Sequence, residues 1–340
     1  MKGLRRAWVL GAARGGVGLL ALLALLAAPL APAGAVDKVR VAYIPAISFA
    51  PMFVTLEKGF VKEQNQEWEM LQLGGGSKAI LPLTKDEIQV SAGSSSGGFF
   101  NTIAKGARVK VVLDKGQINK QYNYVPLSVS KELWDKGQFR TTRDLLKVKI
   151  GQFGRATISD YALWKLVEPY GVNYKDLDLS YLDPPKQYTA MKTGAIKASM
   201  TVEPWATRME LEGVGVTLPG QTDWLKDRVF QVATIMFSYE FITQRRPLAQ
   251  SWVNASLKGL RYYHEKGLKH DEIVTIVSKW TKVPPDMIKR SIPPVFAADG
   301  RVDTASMQEV QRFYKEMGYI EEIIPAERYI DNSFIEQAAK

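Results

Sequence analysis

The chain contains no cysteine and only two histidines, His264 and His270. Without a thiol there is no disulfide, no thiolate nucleophile, no thiolate metal site and no cysteine to carry a lipid. Burial alone must then hold the fold, which a chain of 340 residues can manage. The histidines have no carboxylate cluster beside them to complete a three-ligand metal site, so they read as surface residues of a helical tail. A Gly-x-Ser-x-Gly elbow, a Walker-type phosphate loop and a Gly-x-Gly-x-x-Gly turn after a strand are also missing. These absences argue against acyl transfer, nucleotide hydrolysis and dinucleotide chemistry. The expectation is a protein that is not an enzyme and takes no cofactor or metal. No Lys/Arg cluster with interleaved aromatics is present to track a phosphate backbone, so nucleic acid is not an expected partner.

Long apolar runs are confined to the N-terminus. Lys2, Arg5, Arg6 and Arg14 precede an apolar stretch over residues 17–28, and Ala33-Gly34-Ala35 follows it. That is the layout of a signal peptide over residues 1–35, too short in its apolar part for a spanning helix of roughly 20 residues. Arg5-Arg6 also fits a twin-arginine signal, but nothing demands folded export, and the general secretory route to the periplasm is the expectation. Cleavage after Ala35 leaves 305 residues, enough for two lobes, and lowers the net charge from +10 to +6. A mild positive balance of this kind favours solubility and weakly attracts anions.

From residue 36 onward strand and helix signals alternate, the pattern of an α/β fold. Strand-like segments at residues 39–44, 68–73, 88–92 and 109–113 are separated by helical spacing around Phe53, Ile80 and Phe99. The rhythm repeats at 148–151, 179–182 and 196–202. Residues 122–130 and 232–239 are strand-like but stand outside the alternation, and they read as strands adjoining two crossings between lobes. The expected division is a first lobe over 36–121, a second over 122–238, and a return to the first with C-terminal helices over 239–340. Leu248, Trp252, Ala255, Leu260 and Tyr263 carry the helical spacing of that tail.

Open α/β sheets place ligands at the C-terminal ends of their strands. Three loops stand at such ends and run into helices. The first offers the hydroxyl of Ser48 and the ring of Phe49; the second is the turn Ser94-Ser95-Ser96-Gly97-Gly98; the third holds Arg155, Thr157 and Ser159. Hydroxyls and N–H groups at a helix start suit an anionic or strongly polar group. The plainer reading stands beside this one, because serine and aspartate at helix starts are ordinary caps worth about 1 kcal/mol. Trp205 fits a core as well as a cleft.

The order Gly-Gly-Gly-Ser (74–77), serine turn, Ile-Gly-Gln-Phe-Gly (150–154), Gly-Ala-Ile-Lys-Ala (194–198) and Glu203-Pro204-Trp205-Ala206-Thr207 resembles the nitrate/sulfonate/taurine transport binding proteins, a group that also contains pyrimidine-precursor binders. The resemblance runs from about residue 39 to the helix near Tyr263. It implies a bilobal type II periplasmic binding protein fold, with two lobes joined by two crossing strands and a ligand cleft between them. It implies ligand contacts at Ser48, Phe49, Ser77, Ser94, Ser95, Ser96, Arg155, Thr157, Glu203 and Trp205. Ser95, Ser96, Arg155 and Thr157 would grip an oxyanion or polar head, Phe49 and Trp205 would pack on its apolar part, and Glu203 would accept a hydrogen bond from an amine or an amino-pyrimidine. The implied function is the exported substrate-binding component of an ABC importer. It would act as a monomer that captures a small polar or anionic organic solute and delivers it to a permease and its ATPase. A binder of a pyrimidine or aromatic acid, or a ligand-presenting sensor, is the alternative. Catalysts similar to these binders depend on cysteine, which this chain lacks. Gln89 and Lys197 stand where the family usually carries aspartate, a departure expected to alter local turn and strand contacts more than the cleft.

Overall fold

The computed structural model describes residues 36–73 and 77–339. The expected signal segment 1–35, the Gly74–Gly76 run and the Ser77 side chain lie outside the described residues.

The segment Asp37–Lys340 is one compact unit containing two five-stranded mixed sheets. In the first, β1 (Asp37–Tyr43) pairs in parallel with β2 (Gln66–Gln72) and β3 (Val90–Gly93), while β10 (Phe230–Phe237) runs antiparallel between β3 and β4 (Lys110–Ile118). In the second, β6 (Lys149–Gln152) pairs in parallel with β7 (Asp178–Tyr181) and β8 (Ala198–Met200), while β5 (Leu127–Ser130) runs antiparallel between β8 and β9 (Gly215–Thr217). β5 and β10 are thus the antiparallel fourth strands of their sheets, reached by the two crossings of the chain. β10 begins at Phe230 inside the first sheet, so the return from the second sheet comes before Phe230 and not at residue 238. β10 is buried along its whole length, in keeping with a mainly apolar strand (Phe230, Val232, Ala233, Ile235, Met236 and Phe237) in a sheet covered on both faces.

Helices cover the faces. α1 (Ala50–Glu57), α2 (Ser77–Thr84) and α3 (Gly97–Ala104) follow strands of the first sheet; α4 (Lys131–Asp135), α5 (Ile158–Val167), α6 (Pro184–Lys192) and α7 (Trp205–Leu211) belong to the second. After α8 (Tyr239–Thr243), the long α9 (Arg246–Lys266) and α10 (Asp271–Thr281) pack on α1, which places the tail against the first sheet. The approach is close at Gly259, where an added Cβ would lie 1.9 Å from Thr55 Oγ1 and 2.7 Å from the Pro51 carbonyl oxygen. Stacked rings fill this layer, with Phe53 on Trp280 at 4.9 Å and Trp68 on Trp252 at 4.5 Å between centroids. α11 (Pro285–Arg290) follows, and α12 (Thr304–Glu316) reaches the second half of the molecule, setting Phe313 5.1 Å from Trp164 on α5.

The two unusual residues in the strand turns act locally. Gln89 Oε1 accepts the Arg40 N–H at 2.9 Å, tying β1 to β3, and Lys197 pairs with Glu132 at 2.7 Å.

Candidate ligand-binding site

A cavity of about 390 Å³, its open mouth included, lies between the sheets. Its wall is built at the C-terminal ends of the parallel strands: Ile44 after β1, Gly93 and Ser94 at β3, Phe153 after β6, and Val202 after β8. Ser48, Thr157 and Ile158 join from the loop and helix starts, and Lys115, Val232 and Ala233 from the adjoining strands β4 and β10. The surface is mostly apolar, with a few hydroxyls and one cation, the usual make-up of a small-molecule site.

The first loop and the serine turn meet the second sheet's loops directly. Ile158 N–H donates to Ser94 Oγ at 3.1 Å, and Gly97 N–H donates to the Ala156 carbonyl at 2.8 Å. Ile47 N–H donates to the Glu203 carbonyl at 3.1 Å, and the Trp205 indole donates to the Pro45 carbonyl at 3.0 Å. Lys78 pairs with Asp183 at 3.1 Å across the same gap. The structure is therefore in a closed arrangement.

Of the residues expected from sequence, Ser48, Ser94 and Thr157 line the cavity. Thr157 Oγ1 donates to the Gly154 carbonyl at 2.9 Å and shares a contact with Ser159 Oγ, which fixes its rotamer. Ser95 and Ser96 are buried beside the cavity. Ser95 Oγ meets Thr234 Oγ1 at 3.0 Å, and Ser96 caps α3 by accepting Phe99 N–H at 3.3 Å. Phe49 is wholly buried, stacked 5.9 Å from Phe53, beneath the cavity and not on its surface. Trp205 is held in the contact between the halves. Arg155 is exposed, its guanidinium 5.6 Å from the Tyr319 ring, away from the cavity wall. The Ser77 side chain is not described.

Glu203 is buried and fully engaged in capping α7. Its two carboxylate oxygens accept Thr207 N–H at 3.0 Å and Thr207 Oγ1–H at 2.9 Å, and Ile292 N–H approaches at 3.4 Å. Burial pushes its carboxyl up to about 7. Because the folded state holds this proton more tightly than the unfolded chain, the contribution is present at acid pH and lost as pH rises through about 7. Wild type should therefore lose roughly 2 kcal/mol relative to Glu203→Gln between pH 5 and pH 8. Urea midpoints of both proteins at the two pH values measure this, and a pH-independent difference would contradict it.

Lys115 is the residue that sequence reading did not find. It is 5% exposed, donates from Nζ to Ser48 Oγ at 2.8 Å, and sits 3.5 Å from the centroid of the Phe49 ring. Among the described residues no carboxylate lies within ion-pair distance of it. Its neighbour Asp114 is turned away, its oxygens accepting from Gln231 Nε2 at 2.6 Å and from the N–H groups of Gly116 and Ala297, each at 2.8 Å. Burial pushes the Lys115 ammonium well below the ordinary lysine value, with Asp114 opposing the shift. An uncompensated buried amine facing a cavity is a place for an anion.

The sequence matches the NMT1-like family over residues 33–278. The chain belongs to the NMT1-like family. No curated protein matches it in sequence. Among solved structures it is similar to the alkanesulfonate-binding protein SsuA from Xanthomonas axonopodis pv. citri. That match has a TM-score of 0.71 and 15% identity, covering 87% of this chain and 98% of that one. It is also similar to the periplasmic nitrate-binding protein NrtA from Synechocystis PCC 6803, with a TM-score of 0.71, 15% identity, and 89% and 88% of the two chains covered. The desulfurization enzyme DSZB matches at a TM-score of 0.64 and 13% identity, over 89% of this chain and 99% of that one. The NMT1-like chain thus has the bilobal type II periplasmic binding protein fold, and its inter-sheet cavity is the cleft between the lobes.

Proposed function

We propose that this protein is the exported substrate-binding component of an ABC importer, capturing a small organic anion between its lobes and delivering it to a membrane permease. The observation that carries this reading is Lys115, a buried amine with no carboxylate within ion-pair distance among the described residues, in the wall of a cavity built from both lobes. Ser48, Ser94 and Thr157 supply hydroxyls around it. The alkanesulfonate-binding and nitrate-binding neighbours of like fold support the same class of ligand. A catalytic role like that of the desulfurization enzyme would need an activated nucleophile, and a cysteine is not available for it. The N-terminal signal pattern supports a periplasmic location.

Capture would work by closure. A ligand touching both lobes favours the closed state by its differential affinity, and closure removes water from the polar contacts it makes. The test is thermal unfolding of the protein against taurine, alkanesulfonates, nitrate, aromatic acids and pyrimidines. A ligand at 100 times its dissociation constant stabilises the folded state by about 2.7 kcal/mol. A shift for one anionic class is the expected result; a shift for a neutral pyrimidine alone would replace this reading.

A further inference from the structure

A second pocket lies inside the first lobe, directly behind the cleft. It encloses about 400 Å³, mouth included, between α1, β4, β10 and α9. Met52, Leu113, Leu257, Leu260 and Phe296 form its walls. Ser48 and Lys115 line this pocket as well as the cleft cavity, so that hydrogen-bonded pair forms the partition between the two spaces. Its wall also holds Ser256, whose hydroxyl is buried with no hydrogen-bond partner. Close-packed cores leave few voids and few unpaired polar atoms, and here both occur together behind the one cation of the cleft wall.

We propose that this pocket receives the tail of the ligand, so that the captured solute is an elongated anion with its head at Lys115 and Ser48 and a mainly hydrocarbon body of a few carbons. The inference rests on anion capture at the cleft and adds where the rest of the molecule goes. Lys115 is suited to stand at the junction: its four-carbon stem can swing toward an anion while the stem itself stays against apolar surface. The pocket walls offer the tail dispersion contacts and removal from water, with no charge to oppose it except Asp114, whose oxygens are already occupied.

The test is a titration of the protein with two homologous series, straight-chain carboxylates and straight-chain sulfonates of one to six carbons. The expected result is an affinity that rises about three- to fourfold per added methylene and then levels or falls when the pocket is full. Leu257→Trp, which fills the pocket, should abolish the slope whatever it does to the shortest member. Leu260→Ala, which enlarges it, should move the optimum to a longer chain, and it serves if the tryptophan variant does not fold. Measurable binding with no chain-length dependence in wild type would overturn the tail pocket and leave anion capture standing. No binding by any member to folded protein would overturn anion capture itself.

Discussion

Lys115→Met should abolish most of the anion affinity and at the same time raise the melting temperature of the empty protein. The two effects come from one cause. Removing a charge-assisted hydrogen bond to the ligand costs about 1.5–3 kcal/mol, a loss of ten- to over a hundredfold in affinity. In the empty protein the same amine is buried against Phe49 with a single hydroxyl partner, and replacing such a polar group by an apolar side chain of similar length stabilises by roughly 1–2 kcal/mol. Arg155→Ala, at an exposed side chain off the cavity wall, should change affinity far less. A Lys115→Met protein that binds as wild type does, or one that melts lower while Arg155→Ala loses the ligand, would return the anion site to Arg155.

Gly97→Val should weaken ligand binding at least tenfold while leaving the unfolding midpoint of the empty protein nearly unchanged. Gly97 opens α3, and its N–H reaches the Ala156 carbonyl of the opposite lobe. A Cβ at this position would lie 2.9 Å from Ala156 Cβ and 3.4 Å from Tyr319 Cβ. The branched side chain would therefore hold the loops apart and penalise the closed state more than the open one, which reduces apparent affinity in proportion to the competent fraction. Small-angle scattering reads this directly: wild type should contract on ligand addition and the variant should not. Full affinity and full contraction in the variant would show that the Gly97–Ala156 contact is not a feature of the ligand-bound state.

The alternation of strands and helices was legible because short apolar stretches, such as Val39, Val41 and Ala42 in β1 or Val90 and Ala92 in β3, end at Pro45 or at Gly93-Ser94, and the loops at strand ends follow from that alternation. Ser48, Ser94 and Thr157 could be picked out for the same reason, since they stand at fixed places after β1, β3 and β6. Lys115 could not. In sequence the strand over 109–113 reads as ending at Asp114-Lys115-Gly116, a turn-like triplet, yet β4 continues to Ile118. What permits this is non-local: Asp114 is paired by Gln231 and the Ala297 N–H, more than a hundred residues away in the chain. The place of β10 was hidden likewise, because its register with β3 and β4 spans the whole second lobe. Arg155 illustrates the converse, a guanidinium in the expected loop whose side chain leaves the cavity for the Tyr319 ring.

The most direct measurement of the central claim is calorimetric titration of the anion that gives the largest thermal shift, carried out at one pH in buffers of differing ionisation enthalpy, for wild type and Lys115→Met. Burial lowers the proton affinity of Lys115 in the empty protein, and an anion beside it raises that affinity again, so binding should take up protons. The account predicts a net uptake of protons on anion binding to wild type that is lost in the methionine variant. Equal affinity and equal proton uptake in the two proteins would contradict it.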